Sequence, residues 1–274
     1  MAGSIVFAGI APHPPLLVPE VGGSRIGRVA DSQHALREFS RMLVDSSPDT
    51  VVMISPHSPL DPHAFTARST PELYGSFEIF SAPQVRLSFE NDLAMLEAVE
   101  NSARAADLPF KFLRRDYQLD HGALVPLYYL HEAGWGGPVA VIGFTDLSVR
   151  QHVAFGRAIR EAALASDRRV AVVASGDLSH RLIIGGPYEF EPTAHLFDEQ
   201  VVEAISGGNP DAIAVIDPEL RRRAGECGYR SILIALGCVE HEAASPRVLS
   251  YEGPFGVGYM VALLSKSTEP RHAA

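Results

Sequence analysis

Histidine and aspartate side chains follow three apolar segments of the sequence, each of which has the composition of a buried strand. SIVFAGI is followed by APHPP with His13, TVVMIS by PHSP with His57, and RVAVVAS by GDLSH with Asp177 and His180. Imidazole is the commonest metal ligand in proteins and also exchanges protons near neutral pH, so these residues could bind a cation or transfer protons. Prolines beside His13 and His57 stiffen the backbone, as a pre-oriented metal ligand requires.

The position of these residues favours one shared site over separate structural roles. A single histidine after a strand is more often a loop residue that bonds to backbone. Three histidines that each follow a strand favour a shared site, because the carboxyl ends of parallel strands meet at one edge of the sheet, where ligands bind. Asp177, three residues before His180, could orient that imidazole or cap a turn.

A fourth imidazole stands at the start of a predicted helix in DYQLDHGALVPLYYL. Asp120 and His121 directly precede the apolar run from Leu124 to Leu130. Aspartate is a favoured helix N-cap, which would be a purely structural role for Asp120. The functional alternative places His121 at the helix start, facing the site as a hydrogen-bond donor.

Two histidines that bind a cation require an anionic third ligand, and the stretch GECGYRSI offers two candidates. Glu226 and Cys227 lie between glycines just ahead of a predicted helix. Successive side chains at a helix start diverge by about 100°, so only one of the two can face the metal. Glu226 would complete a two-histidine, one-carboxylate site typical of non-haem Fe(II), whereas Cys227 would favour Zn or Cu(I), or an iron with altered redox behaviour. Their structural alternatives are a first-turn acid and a small buried hydrophobic residue.

The elements that must position these residues alternate between strands and helices. The predicted strands are Ser4–Gly9, Thr50–Ser55, Val139–Phe144 and Arg169–Ser175. The predicted helices are Asp31–Asp45 with Ser32 as its cap, Asn91–Ala106, Val149–Ser166, Pro192–Ser206 and Ser231–Leu236. This alternation predicts an α/β fold with a mostly parallel central sheet and helices on both faces.

Two segments fit this pattern less regularly. Thr66–Phe89 is predicted to be a hairpin or an excursion beside a pocket, and YEGPFGVGYMVALLS is predicted to be a closing antiparallel strand with glycines that suit a bulge. We expect a single domain from residue 1 to 266 and a disordered polar tail from 267 to 274.

Composition excludes several classes of partner. The net charge of −10 with only 23 basic residues and no basic run argues against nucleic acid. No apolar run approaches the length of a membrane span, and the first residues lack the pattern of a signal peptide. Two cysteines, Cys227 and Cys238, do not form a disulfide framework and indicate a reducing compartment. These features predict a cytoplasmic protein with no membrane partner.

Four motifs together resemble a known family. APHPP, SPHSP, DHGALVPL and SGDLSH, in this order, resemble the class III extradiol ring-cleaving dioxygenases of the LigB type and the related Memo-like proteins. The resemblance extends from residue 9 to about residue 260, and DHGALVPL is its most specific motif. It implies that His13 and His57 bind Fe(II), that His180 is the general acid/base, and that His121 lies near dioxygen and substrate.

The third ligand departs from the dioxygenase pattern. GECGYRSI is closer to the Memo-like branch, in which a cysteine takes the metal position, so the resemblance matches Cys227 and makes Glu226 its neighbour. The leading hypothesis is an Fe(II)-dependent extradiol-type dioxygenase that uses a catechol-like aromatic substrate and dioxygen. The alternatives are a Memo-like metal-binding or redox protein without ring cleavage and a Zn hydrolase. Relatives commonly assemble, so the resemblance is compatible with a homo-oligomer, although the sequence does not give the oligomeric state.

Overall fold

Ten strands and eight helices form the molecule in a computed structural model that describes residues 3–114, 117–240 and 246–267. Eight strands make one central sheet, and the other two form a separate hairpin. The strands are β1 (Ser4–Ala11), β2 (Thr50–Ser55), β3 (Phe65–Arg68), β4 (Glu72–Phe77), β5 (Ala82–Glu90), β6 (Phe110–Leu113), β7 (Val139–Gly143), β8 (Arg169–Ser175), β9 (Arg247–Glu252) and β10 (Tyr259–Lys266).

The middle of the central sheet is parallel and its margins are mixed. The strand order is β6-β3-β7-β2-β8-β1-β10-β9. The neighbours β7, β2, β8 and β1 run parallel to one another, whereas β10 is antiparallel to both β1 and β9. The parallel strands are continuous apolar runs because both of their faces are covered. The predicted α/β fold is confirmed.

Helices cover both faces of this sheet. They are α1 (Pro19–Gly22), α2 (Ala30–Asp45), α3 (Leu93–Ala105), α4 (His121–Glu132), α5 (Val149–Ala165), α6 (His195–Ser206), α7 (Pro218–Ala224) and α8 (Tyr229–Val239). Strand β2 shows how the core divides. Val51 and Met53 pack into the apolar cluster that contains α2, α4 and the β4–β5 hairpin, whereas Val52 and Ile54 pack with α3, α5 and α8. This alternation follows from the two-residue period of a strand.

Local predictions at the margins need correction. Ser32 is not the cap of α2, because the helix begins at Ala30 and the hydroxyl of Ser32 has no partner among the described residues. The predicted closing antiparallel strand is confirmed as β10, which pairs with β1, but it begins only at Tyr259, because the first residues of the predicted segment belong to the end of β9 and to the turn between the two strands. The hairpin alternative for the irregular region is confirmed by the antiparallel pairing of β4 with β5.

The predicted polar tail falls almost entirely outside the described residues. Residues 268–274 are not described, and Ser267 donates its backbone NH to the carbonyl of Val6. Within the described ranges, none of the helices combines the length and the apolar character that crossing a bilayer would require.

Candidate metal centre

Neighbouring strands deliver the predicted site residues to one edge of the sheet. Strand β8 lies between β1 and β2, so the loops after these three strands lie side by side. The loop after β1 carries His13, the loop after β2 carries His57, and the loop after β8 carries Asp177 and His180. Helix α4 begins at the same edge with His121. The carboxyl edge of a parallel sheet is where α/β proteins bind ligands.

His13 and His57 point their Nε2 atoms at each other across 3.1 Å. Their rings are nearly perpendicular, at 83°, with centroids 4.9 Å apart. Ligand nitrogens lie about 2.1 Å from a bound metal, so two of them at right angles are separated by roughly 3.0 Å. The two imidazoles therefore have the spacing of adjacent ligands of one cation.

The orientation of His13 is fixed from behind by Ser175, the last residue of β8. The Ser175 hydroxyl donates to the carbonyl of Gly122 and lies 2.9 Å from Nδ1 of His13. Because the only hydroxyl proton goes to Gly122, Ser175 must accept the Nδ1 proton of His13. The tautomer that results leaves Nε2 with a free lone pair, which a metal ligand needs.

His121 completes a group of three imidazoles. Its ring stacks on His57 with centroids 4.4 Å apart and an angle of 25°, and its centroid lies 5.4 Å from that of His13. His13 is buried, His121 is half-buried and His57 is exposed. The cluster is therefore closed on the His13 side and open to solvent on the His57 side.

Asp120 is the N-cap of α4 and also binds the loop that carries His57. Its Oδ1 accepts the backbone NH of Ala123 at 3.1 Å and the hydroxyl of Ser55 at 2.5 Å. Its Oδ2 accepts the hydroxyl of Ser58 at 3.1 Å. One carboxylate thus couples the helix that begins at His121 to the turn around His57.

Cys227 and Asp177 lie on the buried side of His13. The Sγ atom of Cys227 is 3.6 Å from Nε2 of His13, and Oδ2 of Asp177 is 3.8 Å from the same nitrogen. Asp177 also accepts the backbone NH of His13 at 2.9 Å and donates its own NH to Sγ at 3.3 Å. Soft and hard anionic donors are therefore both next to the imidazole pair.

Glu226 is engaged elsewhere. Its Oε2 accepts the backbone NH of Tyr229 at 2.7 Å, at the first turn of α8. Among the described residues, the groups whose donor atoms could hold a metal are His13 with His57 and His121, and His13 with Asp177 and Cys227. The divergence expected at a helix start is observed, with Cys227 and not Glu226 next to His13.

His180 belongs to neither of the two groups of described residues that could hold a metal, but it is near enough to repel His13 and His57 electrostatically, and it has an unsatisfied ring nitrogen. Its ring stacks on Tyr188 at 5.0 Å, and its backbone NH donates to the carbonyl of Ala224 at 2.9 Å. Its buried Nε2 has no hydrogen-bond partner among the described residues. Such an atom costs free energy unless a ligand or reactant binds it.

Desolvation keeps the four imidazoles neutral. Burial, followed by repulsion from His57, His121 and His180, lowers the pKa of His13 well below its usual value. Burial is also the main reason that the pKa values of His121 and His180 fall to about 4. Partial desolvation lowers the pKa of His57 against the opposing effect of Asp120. At pH 7 all four rings can offer lone pairs.

The anionic donors are protonated more readily than usual. Burial raises the pKa of Asp177 to about 7, although the NH of His13 opposes this shift, and burial raises the pKa of the Cys227 thiol. The buried acid and thiol have no positively charged group beside them, because the neighbouring imidazoles are unprotonated. A bound cation would provide that charge. The donor set therefore fits a divalent metal.

Two residues that shape the site escaped prediction from sequence. The apolar pattern of β8 predicts Ser175 only as the last residue of a strand, although a polar residue at the end of a buried run can itself indicate a functional role. Phe80, at the tip of the β4–β5 hairpin, lies edge-on to His121 at 5.7 Å. Its place depends on a fold-level contact that local spacing does not encode.

Comparison with known families agrees with this arrangement. The sequence model of the family described as "Catalytic LigB subunit of aromatic ring-opening dioxygenase" matches residues 8–262. The chain belongs to the LigB family. The matched region includes all the histidines of the cluster, together with Asp177 and Cys227.

Two curated relatives match this LigB family chain over part of their own length. Protein CA_C1420 from Clostridium acetobutylicum is 30% identical over 263 residues, which are 93% of this chain and 56% of that protein. The 2-aminophenol 1,6-dioxygenase beta subunit from Pseudomonas sp. is 27% identical over 199 residues, which are 65% of this chain and 63% of that subunit. The chain thus spans less than two thirds of either relative.

A solved structure has the same fold. The crystal structure of protein JW3007 from Escherichia coli K12 matches with a TM-score of 0.64 and 16% identity, over 95% of this chain and 99% of that one. At this level of identity the likeness establishes the LigB-like fold alone.

Proposed function

We propose that this chain is an Fe(II)-dependent extradiol-type dioxygenase that cleaves the ring of a catechol-like aromatic diol. The observation that carries the proposal is the pair of Nε2 atoms of His13 and His57, which lie 3.1 Å apart. LigB family membership supports the reaction class. The metal, the substrate and the roles of individual residues belong to the proposal.

His13 and His57 would hold the ion, with Cys227 as the anionic donor nearest to them. The tautomer of His13 imposed by Ser175 suits this role, as does the burial of Asp177 beside the same imidazole. When bound, Fe(II) supplies Lewis acidity and a common anchor for the diol oxygens and dioxygen.

His180 is assigned the proton transfers. Its pKa of about 4 keeps the ring neutral at pH 7, and its Nε2 has no partner among the described residues. A neutral imidazole can accept a hydroxyl proton of the diol and return it during ring opening, a role typically worth about 10²–10⁴ in rate. Asp177 accepts the backbone NH of His13. We therefore assign it to the positioning of His13 and not, as the sequence suggested, to the orientation of His180.

His121 and two aromatic residues are assigned to the substrate. Asp120 fixes the helix start that carries His121, so this imidazole can donate to an oxygen of the diol or of dioxygen. Phe80 lies beside His121 and Tyr188 covers His180. A flat ring that enters from the open side would lie between these apolar surfaces, which also exclude water.

Turnover after anaerobic metal loading tests the proposal. Apoprotein is loaded with Fe(II) without oxygen, mixed with a panel of catechols and with 2-aminophenol, the compound in the name of the Pseudomonas relative, and then exposed to air. We expect oxygen uptake and a yellow ring-opened product from at least one compound. His180→Ala should reduce the rate by about 10²–10⁴, and His34→Ala, at an exposed position of α2, should not. No uptake with any compound would refute the proposal.

A second candidate function has one specific observation in its favour. Cys227 lies 3.6 Å from Nε2 of His13, whereas Glu226 caps α8. A thiolate ligand favours a Memo-like metal-binding or redox protein that does not cleave rings, with Zn or Cu as its ion. Metal analysis of protein purified without added metal distinguishes the cases, and Zn with hydrolytic turnover would support the Zn hydrolase.

Assembly is part of the proposal as well. The Pseudomonas relative is named as a beta subunit, which indicates a larger complex for that protein. We infer that this chain also assembles, and light scattering coupled to size-exclusion chromatography measures its oligomeric state.

A further inference from the structure

A buried carboxyl group lies behind the loop that carries His180. Asp198, on α6, has no exposed surface. Its Oδ1 accepts the backbone NH of Ser179 at 2.8 Å, and its Oδ2 accepts the hydroxyl of Tyr251 at 2.7 Å. Burying a carboxyl group costs free energy even when it is hydrogen-bonded, so its presence here requires a compensating structural or functional benefit.

Asp198 is one of several hydrogen-bond partners of Ser179, the residue before His180. Ser179 donates its backbone NH to Asp198, accepts the NH of Gly258 on its carbonyl at 2.8 Å, and donates its hydroxyl to Ala224 at 3.2 Å. The NH of His180 donates to the same Ala224 carbonyl at 2.9 Å. The backbone of this loop is therefore fixed on every side, and the acid holds the side that faces α6.

The neighbouring strand leaves room for this carboxyl group. A Cβ atom at Gly258 would overlap Oδ2 of Asp198, far inside van der Waals contact. The glycine just before β10 and the acid on α6 are therefore matched in shape. The close backbone approach that the glycine-rich closing segment predicts is made with Asp198 and Ser179.

The His180 ring has little else to hold it. Its Nε2 has no hydrogen-bond partner among the described residues, and its ring contact is the stack on Tyr188, a residue that is 51% exposed. The direction of the ring is therefore set mainly by the backbone that carries it.

We propose that Asp198, supported by the hydroxyl of Tyr251, is a positioning residue that fixes Ser179 and thereby aims the imidazole of His180 into the histidine cluster. The catalytic value of this orientation rests on the proposed function. The orientation itself is measurable without turnover, so a failure of one idea can be told from a failure of the other.

Chemical modification of the histidines tests the proposal. Diethyl pyrocarbonate acylates accessible neutral imidazoles, and peptide mass spectrometry gives a separate rate for each histidine of the full-length protein. In Asp198→Ala we expect His180 to react roughly tenfold faster, because loss of one buried hydrogen bond shifts a local opening equilibrium by about that factor. Asp198→Asn keeps an oxygen for the NH of Ser179 and should restore a rate close to that of the unmodified protein.

Two controls separate positioning from general loosening of the fold. His152 is buried with both ring nitrogens within hydrogen-bond distance of backbone carbonyls, and it should stay unreactive in every folded variant. Asp92 is another buried aspartate, which caps α3 and pairs with Arg168. Asp92→Ala should lower the melting temperature yet leave the rate at His180 unchanged.

The outcome is decisive in either direction. An unchanged rate at His180 in folded Asp198→Ala would overturn the proposal, as would equal acceleration at His180 and His152. If Asp198→Ala does not fold, Tyr251→Phe decides, because it removes only the hydroxyl donor to Asp198. A rate at His180 indistinguishable from that of the unmodified protein would then reject the role of the pair.

Discussion

Ser175 lies behind His13, with its Oγ 2.9 Å from Nδ1, and donates its own proton to the carbonyl of Gly122. This hydrogen bond crosses 162 residues of sequence and selects the tautomer of the imidazole. Partners of this kind typically change metal affinity by about 10–100-fold when removed. We therefore expect Ser175→Ala to weaken Co(II) or Zn(II) binding by that factor in a calorimetric titration.

The matched control for Ser175 is Ser40, a buried serine of α2 whose hydroxyl has no partner among the described residues. Ser40→Ala removes the same atom from a buried site without touching an imidazole, and its metal affinity should equal that of the unmodified protein. Equal affinities for both variants would show that Ser175 does not orient His13 for a metal.

Ligation by Cys227 and ligation by Glu226 predict different absorption spectra for a Co(II) complex. A cysteine ligand gives a thiolate-to-cobalt charge-transfer band in the near ultraviolet, and a carboxylate ligand does not. Because Cys227 lies 3.6 Å from Nε2 of His13, we expect the band in the unmodified protein and in Glu226→Gln. It should be absent in Cys227→Ser, with weaker binding. Absence of the band from the unmodified protein would exclude Cys227 as a ligand, and a band that survives Cys227→Ser would show that Cys227 is not its source.

Asp198 should make stability depend on pH in a defined direction. Burial raises its pKa from the ordinary 3.8 to about 7 in the folded protein. Between these values the folded state binds the proton more tightly than the unfolded state, so this group's contribution to the free energy of unfolding falls as pH rises from about 4 to about 7. The loss approaches a few kcal/mol, since each pKa unit corresponds to about 1.4 kcal/mol.

Denaturant titrations at several pH values measure this effect. The unfolding free energy of Asp198→Asn minus that of the unmodified protein should increase from pH 4 to pH 7 and then level off. Asp198→Ala should show the same slope with a constant offset from its lost hydrogen bonds. A difference that does not change with pH would mean that Asp198 is ionised throughout the folded state.

Gly176 should tolerate no side chain. A Cβ atom there would overlap the Cα atom of Gly228, at the contact where the loop after β8 meets the loop that carries Cys227. Gly176→Ala should therefore destabilise the fold by about 1–3 kcal/mol or more, measured as a fall in melting temperature. Gly136→Ala, where a Cβ meets no atom within 4 Å, is the control. Equal melting temperatures for the two variants would contradict the close approach.

Sequence patterns predicted the central strands well for a physical reason. Strands β2 and β8 have the predicted bounds, Thr50–Ser55 and Arg169–Ser175, because strands covered on both faces are unbroken apolar runs that end at polar or proline-containing turns. Strands β3, β6 and β9 were not predicted. They are short or lie at the sheet margins, where one side is solvated and the apolar signal is weak.

The residues of the site also divide into those that the sequence predicts and those that only the structure reveals. The strand-end positions of His13, His57 and His180 follow from the order of strand and loop, so their side-by-side placement could be anticipated. Their role as metal ligands or proton carriers stays a prediction. Ser175 and Asp198 could not be found from spacing, because each acts through a contact between distant segments. Spacing alone left Glu226 and Cys227 open and the resemblance matched Cys227; the structure places Cys227 beside His13 and Glu226 at the first turn of α8.

Adjacent strands lie about 4.8 Å apart, and their order in the sheet determines when during synthesis the proposed ion site can form. Strands β1, β8 and β2 are neighbours in space but distant in the chain, and Cys227 lies 214 residues beyond His13. No early fragment on the ribosome therefore holds the complete set of proposed ligands. An ion held by the proposed ligands would therefore be captured only after synthesis of most of the polypeptide. The exposed His57 side of the cluster then gives that ion a route to solvent, so its exchange with free metal does not require the sheet to open.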